Sequence, residues 1–139
     1  MSKDFLVGES WVLTDVTLII KKSDLDPDVI TARLGLKPSA VRPPGPDRWD
    51  PRGDTDGQWR LQCDERTTRV FSEQLDAILR AAEGCDRILA SMKVEGFDIS
   101  LAVGGYADND SQLSFSASEM TRISRLGLPL VLTPNLNER

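Results

Sequence analysis

The residues best equipped for chemistry gather in one proline-rich stretch. Positions 37–56 hold five of the eight prolines, Pro38, Pro43, Pro44, Pro46 and Pro51, beside Arg42, Arg48, Arg52 and the aspartates Asp47, Asp50, Asp54 and Asp56. Trp49 sits in the middle of this stretch and Trp59 just beyond it. Guanidinium groups hold anions through paired hydrogen bonds, and a tryptophan face stacks on a ring or a cation. Two of the aspartates facing each other across a cleft could divide acid and base work, as in glycoside or phosphate chemistry. Arg42, Arg48, Trp49, Arg52 and Trp59 are therefore the candidate ligand-binding residues. A plainer reading competes: the loop drapes over a sheet, Trp49 anchors it, and its arginines pair with its aspartates. The sequence favours the plainer reading.

Elsewhere most reaction chemistry is excluded by residue type. The chain has no histidine, which removes the commonest general base near neutral pH and the commonest transition-metal ligand. No Ser–His or Cys–His nucleophile can form. Cys63 and Cys85, the only cysteines, make no zinc site and read as reduced, buried small hydrophobes. Asp108, Asp110, Gln112, Ser114, Ser116 and Glu119 fall at the ligand spacings of a calcium loop. Leu113, however, stands where the sharp turn of that loop demands glycine. Gly104-Gly105 is only a pair, not a phosphate-binding loop. No metal and no cofactor is expected.

Composition narrows the partners. At 139 residues, with 40% hydrophobic and 28% charged residues, the chain can bury a core without a disulfide or metal staple. Seventeen Lys and Arg against 22 Asp and Glu leave a net charge of −5. That balance argues against a nucleic-acid partner, whose phosphates call for clustered cations. The apolar run at 128–132 falls far short of the roughly 20 residues of a membrane span. The first residues lack the basic and apolar segments of a signal peptide, so a cytoplasmic location is expected.

The elements that must position these residues follow from periodicity. Positions 11–21 are rich in β-branched residues and read as a strand, with Val12, Val16, Leu18 and Ile20 on its inner face. Asp26-Pro27 opens a helix that ends at Leu34-Gly35-Leu36, where Gly35 supplies the left-handed residue. Positions 58–64 alternate strictly, with Trp59, Leu61 and Cys63 inward. Phe71, Leu75, Ile78, Leu79 and Ala82 repeat at helical spacing. Ile88, Leu89 and Met92 suggest a further helix up to Gly96, with a strand over 88–94 as the alternative. Positions 97–103 alternate as a third strand, after which Gly104-Gly105 lets the chain bend. Positions 112–115 suit a short strand. Ser116 and Glu119 form a capping box that opens the last helix, closed by Gly127. Positions 128–133 make the final strand.

These elements predict an α+β open-faced sandwich, a mixed or antiparallel sheet with helices packed on one face. The layout is a lead-in over 1–10, a single domain over 11–134 and a tail over 135–139. Arg33-Leu34-Gly35-Leu36 recurs as Arg125-Leu126-Gly127-Leu128, which suggests an internal strand-helix-strand duplication. The uncovered face would carry Gln58, Arg60, Gln62, Asp98 and Ser100, with Ala102, and these are the candidate protein-interface residues.

Leu25-Asp26-Pro27, Ile30-Thr31, Leu34-Gly35-Leu36 with Pro38, and Gly57-Gln58-Trp59-Arg60-Leu61 together resemble a bacterial family, domain of unknown function 4279. The helix around positions 75–79, the strand around Leu101 and Leu126-Gly127-Leu128 are similar to its later parts. The resemblance covers roughly residues 12–133. It implies a small stand-alone α/β protein of bacteria without an assigned reaction, and it carries no catalytic or binding residue across. The functional expectation is a non-enzymatic module that binds a protein partner or itself as a homodimer, in an immunity-type or regulatory role. The alternative is a small-molecule or anion binder, or weak enzyme, with its site under the loop at 37–56.

Overall fold

A computed structural model of the chain describes residues 10–46 and 54–136. Its central strand, β1 (Val12–Lys22), owes its extended form to the β-branched run predicted to make it. Helix α1 (Pro27–Leu34) follows, capped by Asp26, whose carboxylate accepts from the Asp28 N–H at 3.0 Å. Then come β2 (Ala40–Arg42), the two short strands β3 (Gly45–Pro46) and β4 (Asp54–Thr55), and β5 (Gly57–Asp64). Helices α2 (Phe71–Glu83) and α3 (Asp86–Val94) lead to β6 (Asp98–Ala107), and α4 (Ala117–Leu126) leads to β7 (Leu130–Leu136).

Five strands form one sheet in the order β2-β5-β1-β6-β7. β1 runs antiparallel to both β5 and β6, β2 runs antiparallel to β5, and β7 lies parallel to β6. β1 and β2 are thus parallel, joined through α1, with β5 inserted between them. Together with β6 they make the split β-α-β arrangement of a double β-α-β unit, and α4 with β7 extends it by one parallel strand. The α+β architecture, a mostly antiparallel sheet covered on one face by helices, is the one periodicity predicted.

The core lies between that face and the helices. Val16, Leu18 and Ile20 of β1, Trp59 and Cys63 of β5, and Ile99, Leu101 and Val103 of β6 meet Leu75 and Leu79 of α2 and Leu89 and Met92 of α3. Cys63 and Cys85 are buried, unpaired thiols. A polar bracket ties α2 to the start of β1. The wholly buried Gln74 accepts from the Thr14 hydroxyl at 2.7 Å and donates to the carbonyls of Thr14 and Thr68 at 2.9 and 2.7 Å.

Several expectations change in detail. Positions 86–94 are helical, which settles the helix-or-strand choice. β6 runs straight through Gly104 and Gly105 to Ala107, because glycines also serve where neighbours crowd a strand. A Cβ on Gly105 would lie 3.1 Å from the Thr14 methyl. Gln112 makes one isolated bridge to Ser10 in place of the expected short strand. β7 continues past Thr133 to Leu136, so its pairing with β6 takes in part of the expected tail. Val12 leaves the inner face: a bulge between Val12 and Asp15, with Leu13 at φ 53°, pairs it with Tyr106 and leaves it 58% exposed.

The suggested duplication survives at the helix exits and not in the sheet. Gly35 and Gly127 both take left-handed φ values, 69° and 64°. The strands that α1 joins are separated by β5, whereas those that α4 joins are neighbours. No helix among the described residues is long and apolar enough to cross a membrane.

Candidate functional site

The proline-rich stretch divides between structure and residues outside those described. Arg48, Trp49 and Arg52, with Asp47 and Asp50, lie outside them. Of the expected long loop, 40–42 and 45–46 are strand, and β3 pairs with β4 as the stem of a hairpin. Arg42 clamps its base, donating from Nε and Nη2 to the Asp56 carbonyl at 3.2 Å each. Trp59 has no exposed surface, and its indole N–H donates to the Thr31 hydroxyl at 3.1 Å. A ring sealed in the core has no face left to stack on a ligand.

The uncovered side of the sheet brings more together. Register sets its residues in rows across the strands: Arg42, Gln58, Lys21 and Asp98; then Ala40, Arg60, Ile19 and Ser100. Next come Gln62, Thr17, Ala102 and Val131, then Asp64, Asp15, Gly104 and Thr133. Gln58, Arg60, Gln62, Asp98 and Ser100 therefore share one face. Reading strands singly missed that β1 runs through its middle with Asp15, Thr17, Ile19 and Lys21. The polar positions of β1 were visible in its alternation, but which strands flanked it was not.

This face is not flat. The small side chains of β6, Ser100 and Ala102, with Gly104, leave a concavity of about 380 Å³ between β1 and β7. At its edge the Arg60 Nε has no hydrogen-bond partner among the described residues, while the buried Thr17 hydroxyl lies beside the Asp15 carboxylate and favours its ionised form. Thr17 is only 1% exposed. Arg60 also forms no ion pair among those residues. A buried donor without a partner costs about 1–3 kcal/mol, so native proteins leave few.

Asp15 borders the same concavity, its carboxylate set where a Cβ on Gly104 would lie 3.3 Å away. Burial pushes its carboxyl above the usual range and Asp64 adds to this, while Arg60 and hydrogen bonds from the Thr17 hydroxyl and the Gly104 N–H act against it. Asp15 also borders a second concavity, of about 620 Å³, beside the bulge. There its register partner Asp64 is held below the usual carboxylate range by hydrogen bonds from Arg66, at 3.0 and 2.7 Å. Ser116 and Glu119, which fell at calcium-loop spacing, are occupied with each other as the capping box, at 2.7 and 3.0 Å.

Residues 12–137 match the family described as domain of unknown function 4279 (DUF4279). The chain belongs to this family. The DUF4279 match runs from the first residue of β1 past the end of β7, so it takes in the whole sheet and both concavities. No curated protein and no solved structure matches the chain. Within this DUF4279 domain, the open face sets Lys21 and Arg60 on the same side of the sheet as Asp15 and Asp64.

Proposed function

We propose that this DUF4279 domain is a protein-binding module whose working surface is the uncovered face of the sheet and whose partner is a second copy of the chain. The observation that carries this reading is the order of side chains along β1 on that face: Asp15, Thr17, Ile19, Lys21. Acid stands at one end, base at the other, and a hydroxyl and an aliphatic group lie between. A two-fold axis crossing the strands between Thr17 and Ile19 sets each Asp15 over the Lys21 of its mate. Closed two-fold pairs need such a self-complementary patch. Val131 and the rim residues Val12 and Tyr106, all exposed, add apolar surface that pairing would remove from water.

The reading is of a binder, consistent with a chain that has no histidine and whose Arg42 and Trp59 are engaged internally. Sedimentation velocity at about 10–100 μM, the span of a weak specific pair, tests it. The expected result is a dimer that Lys21→Glu dissociates at least about tenfold more readily, since like charges then face each other. Lys21→Glu should stay folded and melt only slightly below the wild type, since it sets a like charge opposite the exposed Asp98 and gives up the mate. A wild-type chain that stays monomeric throughout, or a variant that dimerises unchanged, rejects this surface.

A further inference from the structure

We infer that pairing through the open face is controlled by pH, with Asp15 as the switch: the two chains separate as its carboxylate takes up a proton. This rests on the self-association proposed above and adds what regulates it. The two-fold axis that sets Asp15 over the Lys21 of the mate also sets whole rows over each other. The row of Asp64, Asp15, Gly104 and Thr133 carries two negative charges. The row that meets it, Arg42, Gln58, Lys21 and Asp98, carries one net positive charge. Opposite charges steer such a pair together and fix its register. Protonating Asp15 halves the charge of the acid row, and symmetry repeats that loss at both ends of the interface.

The surroundings of Asp15 single it out from its neighbour Asp64. From β5 it faces Asp64 and Arg60, from β6 the Gly104 N–H, and from its own strand Thr17. Glu65, Arg66 and Arg69 stand across the larger concavity that it borders. Helix α2 packs on the opposite face of β1 and meets it there through the neutral Gln74. Arg66 is committed to Asp64 and holds it below the usual carboxylate range. Asp15 forms no ion pair among the described residues, and neither does Lys21, although Asp98 stands opposite it. Burial leaves the Asp15 carboxyl above the usual range, so a single chain keeps this proton to a higher pH. An ammonium brought up by the mate favours the ionised form. Asp15 therefore titrates lower in the pair than alone, and association releases protons. Pairing is strongest above the single-chain value and weakens as the pH falls through it. With two such sites the affinity changes at most about a hundredfold per pH unit.

Sedimentation velocity of the full-length chain at pH ~7.5 and pH ~4.5 tests the switch, with circular dichroism at each pH to show an intact fold. The dimer should dissociate about fivefold more readily at the lower pH. Asp15→Asn mimics the protonated side chain. It should pair at pH ~7.5 as weakly as the wild type does in acid, and change less than about twofold across the range. The Asp15 carboxyl carbon, followed by NMR, should titrate at a lower pH in the paired wild type than in Lys21→Met. The chain's own Lys21 does not cause this difference, since it lies about 20 Å along the strand, beyond the Debye length. Three results overturn the switch: equal wild-type affinity at the two pH values, a wild-type pH response in Asp15→Asn, or equal Asp15 titration with and without Lys21. A chain that is monomeric at both pH values rejects self-association and the switch with it. A dimer indifferent to pH rejects the switch alone.

Discussion

Asp15 is where the two concavities of the sheet meet, and its protonation has a definite sign. Burial raises its carboxyl, Arg60 opposes this and Asp64 reinforces it. A carboxyl raised on folding holds its proton more tightly in the folded state. Its contribution therefore favours folding fully below the unfolded pKa of about 4 and is lost as the pH rises through the folded value. Asp15→Asn should accordingly raise the urea midpoint at pH ~7 and leave it nearly unchanged at pH ~3. A loss at neutral pH would mean that the ionised carboxylate's contacts outweigh its burial. In the sequence Asp15 is one more polar residue in an alternating strand. Its neighbours are Gly104 across one ladder and Asp64 across the other, and neither pairing can be read before the strand order is known.

At the scale of elements, the two glycine-ended helices offer a matched comparison. Gly35→Ala and Gly127→Ala each place a Cβ at left-handed φ, which costs about 1 kcal/mol. At Gly35 the added atom meets open space, whereas at Gly127 it would lie 2.9 Å from the Lys93 Nζ. That ammonium donates to the carbonyls of Leu126 and Gly127 at 3.1 Å each. Gly127→Ala should be the more destabilising in urea, and equal losses would show that the Lys93 clamp adds nothing. Gln74→Ala should cost more than either, about 2–3 kcal/mol, because it strands the Thr14 carbonyl and the Thr68 carbonyl that the amide now satisfies. The exits at Gly35 and Gly127 and the capping box were legible, since those signals are local. The role of Gln74 was not, because a polar residue on an otherwise amphipathic helix reads as solvent-facing. The bulge at Leu13 was equally hidden: no glycine marks its left-handed backbone.

For the whole molecule, the exposed ion pairs set the response to acid. Hydrogen bonds from Arg122 hold Asp76 and Glu83 below their usual ranges, and Arg33 does the same for Glu95. Carboxyls lowered on folding stabilise the native state above their unfolded pKa, and that stability is lost as the pH falls through the folded values. The melting temperature should therefore drop between pH ~5 and pH ~3. Arg122→Gln should make that drop shallower, and an unaltered slope would assign acid sensitivity elsewhere. Fold class and the open face were legible at this scale, because one-sided strands and one-sided helices permit few layer arrangements. Strand order was not, since Asp15↔Asp64 and Thr17↔Ala102 join residues far apart in the chain.

The central position of β1 also has a consequence for the route by which the chain reaches its native state. β1 precedes in the chain both strands that flank it, and β6, the later of them, begins only at Asp98. Until β6 is available, β1 keeps an unpaired edge, and Ile99, Leu101 and Val103 are missing from the core. Pairings of such sequence separation slow folding and prolong exposure of sticky edges. A nascent chain on the ribosome should thus resist protease only once residues through Ala107 have left the exit tunnel. Protection in a chain halted at Gly96 would show that β5 and the helices suffice.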